Sequence, residues 1–260
     1  MFRCSFALLV GWMLMTTAAR AADPRDRFEA GALADGDFTL HYRLLKPKPT
    51  DAQQKYPLVV FLHGAGERGS DNQAQLVHGM ADFASDEIMA KYPAFVVAPQ
   101  CPPARRWVEV DWSADKHSMP EEPSAALAAM FKLIEKLRSE LPIDERRLYI
   151  TGLSMGGYGA WDAVQRRPEL FTAAAPVCGG GDPAIAARMK DVPIWAFHGD
   201  KDTTVKPHRS REMIAALKAA GARPQYTEYP GVGHDSWSRT YRDPALYEWL
   251  FAQRRAGTDK

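Results

Sequence analysis

From Tyr56 onward the chain repeats one pattern, a short apolar run followed by a longer segment with helical spacing. The runs are "YPLVVFLHG", "AFVVAPQ", "RLYITGLS", "TAAAPVCGG", "VPIWAFHGD" and "PQYTEYPG". Runs without polar alternation suit strands covered on both faces, as parallel strands are. Between them, "SAALAAMFKLIEKLRSEL" and "HRSREMIAALKAAG" place apolar residues three and four apart, and "PALYEWLFAQRR" closes the chain with a further helical segment. Strands alternating with helices predict an α/β fold, a mostly parallel sheet with right-handed crossovers and helices on both faces. Ahead of this, "FEAGALADGDFTLHYRLLKP" alternates apolar and polar residues on both sides of "ADGD", which predicts an antiparallel hairpin at the sheet edge. No repeat or linker interrupts the plan, so residues 22–260 are expected to form a single domain.

The first 21 residues follow a different logic. Arg3 begins a short basic region, an apolar stretch follows, and Ala19 and Ala21 have the A-x-A spacing of a signal-peptidase site. A secretory signal cut after Ala21 is expected, giving a secreted or periplasmic protein with no membrane attachment once it is removed. Its loss takes Arg3 and Arg20 from 33 basic residues and none from 32 acidic ones, so the mature net charge becomes −1. A near-neutral chain without Lys/Arg blocks lacks the footprint of a nucleic-acid binder. Cys4 leaves with the signal. Cys101 and Cys178 each end a separate apolar run and are expected to be free, buried thiols.

Gly152-Leu153-Ser154-Met155-Gly156 lies between the run "RLYIT" and the helical segment "GGYGAWDAV". This is G-x-S-x-G in a strand–turn–helix context, where the serine is exposed on a strained turn and glycines two residues away avoid clashes across it. A serine hydroxyl needs a base within reach and a third group to orient that base. Asp202, in "HGDKDTTV", and His234, in "GVGHDSW", follow in the required order. Asp200 ends its strand directly and is expected to shape the turn, so Asp202 is preferred as the acid. His63 and His198 each precede glycine at a strand end and are expected to hold loops in place. His41, His78, His117 and His208 read as surface or cap residues, although His117 sits in the long irregular stretch from Cys101 to Pro123 and can touch substrate. "HGAG", His63 to Gly66, follows an earlier strand and places the Ala65 N–H beside the Met155 N–H as an oxyanion hole. A phosphate loop is excluded, since no G-x-x-x-x-G-K-[ST] pattern is present.

With "LHGAGERGSDN", "TGLSMGGYGAWD", "CGGGD", "HGDKDTTV" and "GVGHDSW" in view, the chain resembles the α/β-hydrolases. It is nearest the minimal-lid group of dienelactone hydrolases, family-one carbohydrate esterases and prolyl-oligopeptidase-like peptidases. The resemblance spans about Phe61 to Trp237. It implies the α/β-hydrolase fold with eight strands in the order 1-2-4-3-5-6-7-8, Ser154, Asp202 and His234 as a catalytic triad, and Ala65 with Met155 as the oxyanion hole. Dienelactone hydrolases carry cysteine where this chain has Ser154, which disfavours that reaction. Only "GDPAIAARMK" lies between strands six and seven, so no large cap is expected and a bulky or polymeric substrate has access.

The expected function is that of an exported serine esterase acting on small or polymeric esters, with acyl or feruloyl esters of polysaccharide as candidates. It needs no metal or organic cofactor. The alternatives are a serine peptidase with the same triad and, further off, an acyltransferase or a non-catalytic binding protein. Trp107, Trp112, His117 and Trp237 are the candidate substrate contacts.

Overall fold

In the computed structural model, residues 22–36, 38–48 and 53–256 are described. The expected signal segment, Cys4 included, lies outside them. The strands are β1 (Glu29–Asp35), β2 (Phe38–Leu45), β3 (Tyr56–Leu62), β4 (Phe95–Gln100), β5 (Ile143–Leu153), β6 (Ala173–Val177), β7 (Trp195–Gly199) and β8 (Gln225–Tyr229). The helices are α1 (Met80–Phe83), α2 (Asp86–Lys91), α3 (Ala125–Glu140), α4 (Met155–Arg166), α5 (His208–Ala219), α6 (Trp237–Arg242) and α7 (Pro244–Ala252).

All eight strands form one sheet in the order β1-β2-β4-β3-β5-β6-β7-β8, the order implied by the α/β-hydrolase resemblance. β1 pairs antiparallel with β2 in the predicted hairpin, β2 pairs antiparallel with β4, and the remaining pairs are parallel.

β3 explains why the central runs are apolar without interruption. All seven of its residues are buried. Leu58, Val60 and Leu62 join a core with Leu127, Met130, Tyr158 and Met213, while Val59 and Phe61 face a second core with Phe83, Tyr241 and Leu250. Successive side chains point to opposite faces of a strand, so a central strand of a sheet covered by α3, α4 and α5 on one face and α1, α6 and α7 on the other has no position left for a polar residue. α3 shows the complementary one-sided pattern, burying Leu127, Met130, Leu133, Ile134 and Leu137 at helical spacing. The Ser124 hydroxyl caps it by accepting the Leu127 N–H at 3.1 Å.

Cys101 and Cys178 are buried free thiols. They follow β4 and β6, and two strands lie between these in the sheet. At about 4.8 Å per strand spacing, the strand axes are roughly 14 Å apart, too far for a disulfide. Only a seven-residue 3-10 segment, Pro183–Met189, interrupts the connection from β6 to β7, so no cap domain rises there. The carboxyl ends of β3, β5, β7 and β8 therefore open on one edge, where open α/β sheets bind ligands.

Candidate active site

Ser154 follows β5 directly and caps α4 with φ 53° and ψ −117°, a conformation that a residue with a side chain rarely adopts. Its N–H is bonded to Val177 O at 3.0 Å, which ties the turn to the end of β6. The flanking glycines permit the turn by close approach. A Cβ at Gly156 would overlap the Leu62 carbonyl of β3, and one at Gly152 would overlap Gly156 across the turn. Both obstacles are backbone. Gly156→Ala is therefore expected to destabilise the protein by about 3 kcal/mol or more, the upper end for an overpacked core. Urea unfolding followed by far-UV circular dichroism checks this, and a loss below about 1 kcal/mol would show that the β3–α4 contact yields.

His234, in the loop after β8, places Nε2 2.9 Å from Ser154 Oγ and Nδ1 2.7 Å from Asp202 Oδ2. Asp202 is held from several sides. Its Oδ1 accepts the Thr204 and Val205 N–H groups, both at 2.9 Å, and its Oδ2 also faces His198 Nε2 at 3.3 Å. Burial alone would raise this carboxyl. The hydrogen bonds from His198 and His234 outweigh that effect and hold it well below the usual carboxylate range. An ionised Asp202 fixes the proton of His234 on Nδ1 and leaves Nε2 free to accept the serine proton. Asp200 has the turn-shaping place expected of it, because its Oδ1 accepts the Gly231 N–H at 2.7 Å and joins the β7 and β8 loops.

Met155 is the first residue of α4, where the N–H has no intrahelical acceptor. Ala65 begins a 3-10 turn, Ala65–Glu67, just beyond β3. Ala65, Ser154 and His234 line one cavity of about 450 Å³. His63 supports this edge from inside. Its Nδ1–H donates to Gly64 O at 2.6 Å, its Nε2 accepts the Cys101 N–H at 2.9 Å, and burial lowers its pKa to about 4. His198 is likewise a loop anchor, with Nε2 bonded to Val205 O at 2.8 Å.

The four candidate substrate contacts separate into two pairs. Trp112 and Trp237 line the cavity. Trp237 also meets the His234 ring edge-on at 5.2 Å, and the Arg106 guanidinium lies 4.5 Å over Trp112. Trp107 does not contact this space. It is fully buried, its Nε1–H donates to His63 O at 3.0 Å, and it packs so closely on Gly159 that a Cβ there would lie 2.7 Å from the Trp107 Cβ. The long stretch turns inward at this point, and the indole N–H finds its acceptor beneath the end of β3. His117 also lies away from the cavity. Its Nδ1 meets the buried Arg209 guanidinium, and burial together with that cation lowers its pKa to about 4, so it pins the long stretch to α5.

Glu67 and His78 are among the cavity-lining groups that escaped the sequence reading. His78, read as a surface or cap residue, lines the cavity and faces Glu67 at 3.5 Å. The position of Glu67, immediately after Gly64 and Gly66, was a signal available in the sequence; His78 carried none.

Among the described residues, Cys178, Asp202 and His234 bring their ligand atoms within 4.8 Å of one another. A metal would require a thiolate here. Burial instead pushes the Cys178 thiol well above its ordinary value, and the other two side chains are bonded to each other.

The sequence profile of the dienelactone hydrolase family matches residues 112–247. A solved structure of a thermostable esterase is 44% identical, with a TM-score of 0.84 over 89% of this chain and 64% of the esterase chain. A probable carboxylesterase of Oryza sativa subsp. japonica is 26% identical over 69% of this chain and 81% of its own length. An uncharacterized secreted protein of Arthroderma benhamiae is 25% identical over 71% of this chain and 22% of its own length.

Proposed function

The chain belongs to the dienelactone hydrolase family, and from that premise we propose that it is an exported serine esterase using Ser154, His234 and Asp202. The observation that carries this reading is the hydrogen-bond chain from Ser154 Oγ through His234 to a buried, ionised Asp202. His234 Nε2 takes the hydroxyl proton as Ser154 Oγ bonds to the ester carbonyl carbon. The carbonyl oxygen becomes an oxyanion and accepts hydrogen bonds from the Ala65 and Met155 N–H groups. As the intermediate collapses, the carbon–oxygen bond to the alcohol breaks and His234 returns the proton to the departing oxygen. Water, deprotonated by the same imidazole, then attacks the acyl-serine and releases the acid and the serine.

Similarity to a thermostable esterase and to a probable carboxylesterase supports an ester as the substrate. The open edge above the sheet suits bulky or polymeric esters, acetylated and feruloylated polysaccharides among them. Export is supported by the basic, apolar and A-x-A order of the first 21 residues and by the relative named as secreted. Among the described residues no helix is long and apolar enough to cross a membrane.

A fluorophosphonate probe is expected to label the protein stoichiometrically. On a panel of p-nitrophenyl esters graded by acyl length, acetylated and feruloylated xylan fragments, and aminoacyl and internal peptides, hydrolysis is expected for the esters. Rapid peptide cleavage with negligible ester turnover would overturn the esterase reading in favour of a peptidase. A well-folded protein that resists the probe would overturn the serine mechanism itself.

A further inference from the structure

Glu67 ends the turn that begins with the proposed oxyanion donor Ala65. Its side chain is only 14% exposed, and Oε2 is buried with no hydrogen-bond partner among the described residues. That oxygen lies against the loop backbone, 3.0 Å from where a Cβ on Gly64 would stand. Oε1 faces His78 Nε2 at 3.5 Å. His78 reaches in just ahead of α1 and packs at 5.3 Å on Trp237, the residue whose ring also meets His234. A carboxylate buried beside an oxyanion hole requires a reason, because its charge opposes the charge that develops there.

We propose that Glu67 and His78 are positioning residues for the oxyanion loop: the carboxylate packs the Gly64–Glu67 turn closed, and a protonated His78 offsets its charge. The proposal rests on the reading of Ala65 and Met155 as oxyanion donors. The hydrogen bond that His78 Nε2–H donates to the Glu67 carboxylate raises the His78 pKa above its ordinary value, against the lowering effect of burial. Burial alone would raise the Glu67 carboxyl, and the His78 partner reverses that and lowers it. The other titratable groups facing the pair are His63 at the end of β3 and Asp235 ahead of α6. The compensating charge is thus present below the raised pKa of His78 and is lost as pH rises through it, leaving Glu67 to oppose the oxyanion.

The test is kcat and KM against pH for p-nitrophenyl acetate in the wild type, His78→Gln, Glu67→Gln and the double variant. In His78→Gln, kcat is expected to fall about 10-fold at pH values below the raised pKa of His78, with KM little changed, because the uncompensated charge acts in the transition state. The double variant is expected to recover most of that loss and to lack the alkaline decline of the wild type. Wild-type kcat in His78→Gln, or losses that multiply in the double variant, would overturn the proposal. If His78→Gln does not fold, Glu67→Gln decides alone, since an alkaline decline identical to the wild type would sink the idea. Failure of the wild type to react with fluorophosphonate would overturn the serine reading and this inference together. Normal labelling with multiplying losses overturns the pair alone.

Discussion

Ser154→Ala is expected to lower kcat/KM for a p-nitrophenyl ester by about 10⁴- to 10⁶-fold, the range for removing a nucleophile from a hydrogen-bonded triad. The substitution removes the oxygen that lies 2.9 Å from His234 Nε2, the proposed nucleophile. Fluorophosphonate labelling is expected to disappear with it. The fold should persist, because the Ser154 side chain caps no helix N–H, and the unfolding free energy should stay within about 1 kcal/mol of the wild type. His234→Ala in the same background should cost little more, since residues that act as one unit lose their effect together. A Ser154→Ala protein that keeps more than about a tenth of the activity would place the nucleophile elsewhere.

Asp202→Asn should bring the second large loss, about 10⁴-fold in kcat with the overall geometry kept. An asparagine turned with its NH₂ toward His234 Nδ1 stabilises the tautomer with the proton on Nε2, which then points a hydrogen at Ser154. KM should change far less than kcat. The same substitution has a pH signature in stability. The Asp202 carboxyl is held below its ordinary value in the fold, chiefly against burial by hydrogen bonds from His198 and His234. Its contribution is therefore complete above the unfolded carboxylate pKa of about 3.9 and fades as pH falls toward the folded value. Urea unfolding should show wild type and Asp202→Asn converging below about pH 4. A stability gap that stays constant from pH 7 to pH 3 would argue that Asp202 acts by packing alone.

The sequence made some of this site legible because the constraint was local. Gly152 and Gly156 flank Ser154 within five residues, and the obstacle each would meet is the backbone of the same turn or of the adjoining strand. The runs at β3, β4 and β6 read correctly as doubly covered strands because burial on both faces leaves no polar alternation, whereas "PQYTEYPG" forms β8, an edge strand that is only partly buried. Asp202 and His234 could be chosen from their loops because the order of chemistry-bearing loops follows the order of strands.

The long stretch between β4 and α3 was legible only as a loop. Trp107 and Trp112 lie five residues apart in similar company, yet one is core and the other lines the cavity. What separates them is an acceptor at His63 O and space over Gly159, partners 44 and 52 positions away in the chain. His117 was drawn inward by Arg209 in the same way.

His78 and Glu67 mark the same boundary in the site. By itself the sequence determined the alternating strands and helices and the glycine-flanked turn at Ser154, because each depends on spacing along the chain or on periodic burial. Only the tertiary structure decided which indoles meet the cavity, that His198 shares Asp202 with His234, and that His78 faces a carboxylate in the turn after β3. Such choices depend on desolvation and on partners brought within a few ångströms by the sheet, and neither has a signature in the neighbouring residues.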